Sequence, residues 1–267
     1  MTYPEFWRSL TALYSEGEAK AIARLVMEEH FGLSMADVLC GKMGDEAELR
    51  QIHRRLLTGE PVQYVLGRAE FGGRWFHVAP GVLIPRPETY ELCQWVLAES
   101  RGEERILDIG TGSGCIACTL AAELPHAEVS AWDISETALT IAQSNAQRLN
   151  VNVIFSQIDI LQLSIYDIIS SNPPYICQQE QEAMERNVID YEPSLALFVP
   201  DDDPLLFYRA IAGYARQALK PGGTLYFEIN PLYAAALQSL LSKMAYHAIT
   251  LREDQYGKPR MMKAIRP

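Results

Sequence analysis

Arg105-Ile106-Leu107-Asp108-Ile109-Gly110-Thr111-Gly112-Ser113-Gly114 is the stretch on which the fold turns. Its first five residues make a short, mostly apolar strand, and the alternating glycines bend the chain before a helical stretch from Cys115 to Leu124. The same alternation continues outward. Strands are expected at Glu128 to Trp132, Val153 to Ile158, Tyr166 to Ser171, Thr224 to Ile229, His247 to Leu251 and Met261 to Ile265. Helices are expected at Glu136 to Leu149, Leu205 to Leu219 and Tyr233 to Met244. Strands separated by helices predict an α/β fold, a doubly wound, mostly parallel seven-stranded sheet whose ligands lie outside the carboxyl ends of the strands.

The front of the chain has a different period. Pro4 to Tyr14, Glu18 to His30 and Asp45 to Leu57 carry apolar residues at helical spacing, broken by Gly17, Gly32, Gly41, Gly44 and Gly59. The expected organisation is therefore a helical recognition domain over 1–60, a turn-rich linker with short strands over 61–89, and the sheet domain over 90–267.

Composition narrows the class. The 267 residues are 48% hydrophobic and 21% charged, ordinary for a globular protein, and no apolar run approaches the roughly 20 residues of a membrane span. The opening Met1 to Trp7 has neither a basic lead nor an apolar signal core, and five cysteines make no disulfide framework, so a cytoplasmic setting and a monomer are expected. A net charge of −11 repels a phosphate backbone, which argues against broad DNA binding. Cys115 and Cys118 have CxxC spacing but no second ligand pair, so no metal site is expected.

Candidate binding residues fall at the strand ends. Asp108, Gly110, Thr111, Gly112, Ser113 and Gly114 follow the first strand, and the glycines do not have the spacing of a dinucleotide-binding loop. A carboxylate there repels a pyrophosphate and suits a cationic amino-acid group, which favours S-adenosylmethionine. Asp133 ends the second strand, where an acid can accept from both hydroxyls of a ribose. Asp159 and Ile160 end the third, one polar and one apolar flank for a flat base.

Asn172-Pro173-Pro174-Tyr175 ends the fourth strand. An Asn-Pro pair by itself is usually an ordinary turn. Proline, however, has no N–H and fixes its backbone angle, so carbonyls here are left free. The Asn172 side-chain oxygen and the Pro173 carbonyl form a pair of acceptors suited to an –NH2 group, with Tyr175 offering a flat face. Asn172, Pro173 and Tyr175 are the candidate catalytic residues, Asn172 to Tyr175 the candidate substrate site, and Asn172 is also counted among the cofactor-binding residues.

With loop and clamp together, the chain resembles the class I S-adenosylmethionine-dependent methyltransferases. More narrowly, it resembles the bacterial family that methylates a glutamine side-chain nitrogen in peptide chain release factors. That likeness is carried by Pro61-Val62-Gln63-Tyr64-Val65-Leu66-Gly67, Glu70-Phe71-Gly72-Gly73, Gly81 to Thr89, Tyr191-Glu192-Pro193, Pro221-Gly222-Gly223 and Asp254 with Gly257 and Arg260. It implies a Rossmann-like methyltransferase domain, S-adenosylmethionine held by Gly110 to Gly114 and Asp133, a glutamine amide gripped by Asn172 to Tyr175, and release factors as partners. Tyr90, the segment Val199 to Pro204, and Asn230 depart from the family pattern. Two other readings remain open: an adenine-N6 methyltransferase, since adenine also presents an –NH2, and a non-catalytic relative that binds cofactor or partner.

Overall fold

The computed structural model describes residues 1–157 and 164–267. Asp159 and Ile160 lie outside the described residues. The chain divides into two compact units, one of residues 1–68 with 185–191, the other of 69–184 with 192–267.

The first unit is helical, with helices at Tyr3–Leu10, Glu16–Leu25, Met35–Leu39, Glu46–Leu56, Val62–Leu66 and Arg186–Tyr191. Four of the starts are set by side chains that accept orphan N–H groups: Thr2 and Ser34 form capping boxes with Glu5 and Asp37, and Ser15 and Asp45 cap the helices Glu16–Leu25 and Glu46–Leu56. Phe6, Leu10, Ala23, Val26, Met27, Leu49 and Leu56 close the core. The helix Arg186–Tyr191 joins this unit through the Tyr191 hydroxyl, which donates to the Thr58 carbonyl.

The second unit is built on seven strands, here β1 (Arg105–Ile109), β2 (Glu128–Asp133), β3 (Ile154–Gln157), β4 (Tyr166–Ser171), β5 (Leu219–Glu228), β6 (His247–Glu253) and β7 (Pro259–Ile265). Their order across the sheet is β6-β7-β5-β4-β1-β2-β3. Six run in the same direction, and β7, set between β6 and β5, runs antiparallel to both. Successive residues face opposite sides, so Ile106 and Ile168 enter one core and Leu107 and Ile169 the other. The first core receives the helices Pro87–Glu99 and Cys115–Glu123, the second the helices Leu206–Ala218 and Ala234–Lys243. This is the doubly wound sheet expected. Among the described residues no helix is long and apolar enough to cross a membrane.

The helix Pro87–Glu99 falls partly in the stretch read from sequence as linker. Pro87 holds its first turn, where a missing N–H loses nothing, and Thr89, Leu92, Cys93, Trp95 and Val96 are buried along it. Two short strands, Arg68–Phe71 and Arg74–His77, pair just before it.

Asn145, fully buried in the helix Glu136–Leu149, ties the second of these strands to the glycine loop. Its Oδ1 accepts from the His77 N–H at 2.7 Å, and its Nδ2 donates to the carbonyls of His77 and Ser113 at 2.9 Å each. Removing one partner of a buried polar group carries the full desolvation penalty of what is left. Asn145→Ala is therefore expected to lower unfolding free energy by roughly 2–4 kcal/mol, measured by urea denaturation.

Candidate functional site

In a sheet ordered in this way the chain reverses direction of winding between β1 and β4, and a crevice opens at their carboxyl ends. Those two strands stay in register to their last residues, with Ile109 opposite Ser171, and the Ser171 hydroxyl donates to the Ile109 carbonyl at 2.7 Å. Gly110 and Asn172 consequently leave the sheet from adjacent positions.

The glycine loop is clipped to the end of β2. The N–H groups of Gly110 and Thr111 both donate to the Trp132 carbonyl at 2.9 Å, and Gly112 N–H donates to Asp133 Oδ2 at 2.9 Å. The other Asp133 oxygen accepts from Ser135 N–H at 2.9 Å. A carboxylate has about four acceptor positions, so both oxygens keep capacity for a further donor. Gly112 has φ +55° with open space where a Cβ would stand, which leaves room for a ligand against the backbone. Gly114 answers a different need: a Cβ there would meet the Ala142 side chain at 3.0 Å, so the bare backbone lets two helices approach.

Asp108 lies beneath this loop, fully buried. Its Oδ2 accepts from the Thr111 hydroxyl at 2.6 Å, while Oδ1 has no hydrogen-bond partner among the described residues. Burial raises its pKa to about 7, offset in part by Thr111 and the Ala117 N–H, with Asp133 adding a small upward push. Buried acceptor capacity of this kind fits a cationic group nearby. Cys115 and Cys118 sit in the helix that follows, and burial lifts both thiols to about 12, so neither ionises readily.

Across the crevice, Asn172 is half-buried and Pro173 buried. The Asn172 Nδ2 donates to the Thr89 hydroxyl oxygen at 3.1 Å, and Thr89 donates in turn to Glu228 Oε2 at 2.5 Å. Among the described residues, nothing donates to Asn172 Oδ1. The Tyr175 hydroxyl donates to Glu228 Oε1 at 3.0 Å, and its ring packs on the core. Glu228 is 2% exposed, and burial raises its pKa against the pull of these two donors and of Arg260. The same burial, together with the Glu228 charge, raises the pKa of Tyr175 and keeps it neutral.

Distant landmarks of the sequence meet here. Glu192 Oε2 accepts from the Ile84 N–H at 3.0 Å, and its Oε1 pairs with Arg86, so Glu192 holds the Ile84-Pro85-Arg86 segment. Asp254 closes the turn between β6 and β7 by accepting from Tyr256 and Lys258 N–H groups, and pairs with Arg260 at 3.4 Å. Each departure from the family pattern has its own contacts. The Tyr90 ring covers Gly72, which has φ +59° and no room for a Cβ, and makes an edge contact with Phe71. Asn230 donates to the Tyr175 carbonyl at 3.1 Å and to Glu180 at 3.0 Å, tying the loop after the prolines to the end of β5.

The structure thus brings Gly110 to Gly114, Asp133 and Asn172 to Tyr175 to neighbouring strand ends, with Asp108 sealed below. Thr89, Glu228 and Asn230 carried no site role in the sequence reading. No local spacing links Thr89 to Glu228, which are 139 residues apart.

Similarity to known proteins agrees with the geometry. A family described as methyltransferase small domain matches residues 92–191, and one described as PrmC N-terminal domain matches residues 7–67. A Bacteroides thetaiotaomicron protein named release factor glutamine methyltransferase is 47% identical over 269 residues, covering 97% of each chain. A Flavobacterium psychrophilum protein of the same name is 41% identical, over 97% of this chain and 96% of the relative. Among solved structures, a Pyrococcus furiosus methyltransferase aligns with a TM-score of 0.55 over 79% of this chain and 96% of that one, at 19% identity. A Thermus thermophilus 16S rRNA N2 G1207 methyltransferase, solved with AdoMet and guanosine, aligns with a TM-score of 0.54 over 75% and 50%, also at 19% identity. At such identities these two structures speak to the fold alone.

Asp108 has a consequence for stability. Its folded pKa of about 7 stands above the ordinary value of 3.8, so the folded chain binds the proton more tightly than the unfolded one. Stability from this group is present at low pH and is lost as pH rises through the folded value. Thermal unfolding at about pH 5 and about pH 8 should show the wild type losing stability between them, and Asp108→Asn, neutral throughout, losing less.

Proposed function

The chain belongs to the release factor glutamine methyltransferase family, and from that premise we propose that it transfers a methyl group from S-adenosylmethionine to the side-chain amide nitrogen of the glutamine in the Gly-Gly-Gln motif of peptide chain release factors. The observation that carries this reading is the side-by-side exit of the glycine loop and Asn172 from paired strands, with an acceptor oxygen of Asn172 unspent.

S-adenosylmethionine, when bound, supplies an electrophilic methyl group on a sulfonium. The residues present fit such a guest. The Gly110 to Gly114 backbone, with its open space at Gly112, would take the amino-acid portion. Asp133 would accept from the ribose hydroxyls through its remaining capacity. Asp108 would place negative charge beneath the cationic part of the ligand, and Asp159 and Ile160 would flank the base.

An amide nitrogen is a weak nucleophile because its lone pair is delocalised into the carbonyl. Asn172 Oδ1 and the Pro173 carbonyl would accept its two N–H hydrogens, which draws electron density back to nitrogen and aims it along the line of transfer. Orientation of this sort is worth up to about 7–11 kcal/mol in the best intramolecular cases. Held so by Asn172 and Pro173, the nitrogen would take the methyl group as the cofactor's S–C bond is given up, and would then lose one proton to solvent. The helical unit would engage the body of the release factor, and the chain would act as a cytoplasmic monomer without affinity for DNA.

Mass spectrometry of release factor incubated with the protein and S-adenosylmethionine should show one added methyl on that glutamine, while labelled DNA in a parallel tube stays unmodified. Transfer to DNA and not to release factor would overturn the reading. Asn172→Ala should lower turnover at least ~100-fold and leave cofactor affinity within about threefold.

A further inference from the structure

The clamp works only if Asn172 presents oxygen, and not its –NH2, to the incoming amide. An Asn side chain has nearly the same shape with its ends exchanged, so something must choose between them. Local backbone cannot do it. An Asn in a turn is ordinarily held by the N–H two residues on, and here that residue is Pro174, with Pro173 between. Neither has an N–H.

We propose that Thr89 and Glu228 make this choice, as positioning residues that fix the polarity of the Asn172 amide. The logic runs from the buried carboxylate outward. Both Glu228 oxygens face hydroxyls and the Arg260 charge favours its ionised form; ionised, the carboxylate only accepts, so the Thr89 hydroxyl gives its one proton to Glu228 Oε2, at 2.5 Å. The Thr89 oxygen then has only lone pairs to offer Asn172, 3.1 Å away, and the group that meets it must be Nδ2. Oδ1 is thereby the end left for the substrate. Exchanging the ends would set oxygen against oxygen at a residue only 3% exposed, where no water relieves the contact. The Tyr175 hydroxyl occupies the other Glu228 oxygen at 3.0 Å, so both ends of the Asn172 to Tyr175 segment lean on one carboxylate. Glu228 and Thr89 come from β5 and the helix Pro87–Glu99, which meet only in the folded sheet.

The inference rests on the amide-methylating activity proposed above, and its test separates the two. Thr89→Val keeps the shape and removes the hydroxyl, while Thr89→Ser keeps the hydroxyl. With release factor as substrate, Thr89→Val should lower kcat about 10–100-fold, with KM for release factor and Kd for S-adenosylmethionine within about threefold of wild type. Thr89→Ser should bring kcat back to within about threefold of wild type. Glu228→Gln carries an amide that can itself exchange ends, so it should lower kcat about tenfold with the same Kd; it keeps the test open if Thr89→Val fails to fold. Wild-type kcat in Thr89→Val or in Glu228→Gln overturns the proposal, as does a Thr89→Ser enzyme no better than Thr89→Val. A wild-type protein that leaves release factor unmethylated overturns the activity reading instead.

Discussion

The parallel pairing of β1 with β4 is the constraint from which the site follows. Because the two strands stay in register through Ile109 and Ser171, the residue after each one emerges at the same height. A slip of one residue would turn every side chain of one strand to the opposite face and exchange the two cores. The Ser171 hydroxyl on the Ile109 carbonyl closes the last rung. Once that register holds, the glycine loop has a fixed origin, Trp132 and Asp133 clip it to β2, and Asn172 leaves the end of the neighbouring strand.

The site spends buried polar groups that a core would otherwise avoid. Glu228 is tolerable because two hydroxyls donate to it and Arg260 lies close enough to favour its charge. Glu192 is tolerable because Arg86 and a backbone N–H meet it. Asp108 is less well served, with one oxygen unpartnered, and its raised pKa reflects that. Burial raises the pKa of both Asp108 and Glu228, the cost of keeping a carboxyl group away from water. Glu228 and Glu192 also act as struts, since each joins segments that are far apart in the chain.

Positions at which this chain differs from its family pattern have acquired local contacts. Tyr90 fills the hollow over Gly72, and Asn230 reaches the Tyr175 carbonyl. The acidic stretch from Val199 to Pro204 is held by Asp201 accepting from Gln179 N–H at 2.9 Å and by Asp203 pairing with Arg209 at 2.8 Å.

Much of the fold was legible from the chain alone. Short apolar runs marked β1, β2 and β4 because each packs against a core on either face of the sheet, and strand-end glycines and acids are local patterns that spacing reveals. The helix Pro87–Glu99 was missed because the prolines at 85 and 87 read as linker until the buried face behind them is seen. The bond from Thr89 to Glu228, the grip of Glu192 on Arg86, the Asn145 strut and the joining of residues 185–191 to the helical unit could not be read at all. Composition and periodicity determine which residues seek burial and in which kind of element. Which buried donor meets which buried acceptor is decided only when the sheet closes, because hydrogen bonds between residues more than a hundred positions apart leave no trace in local spacing.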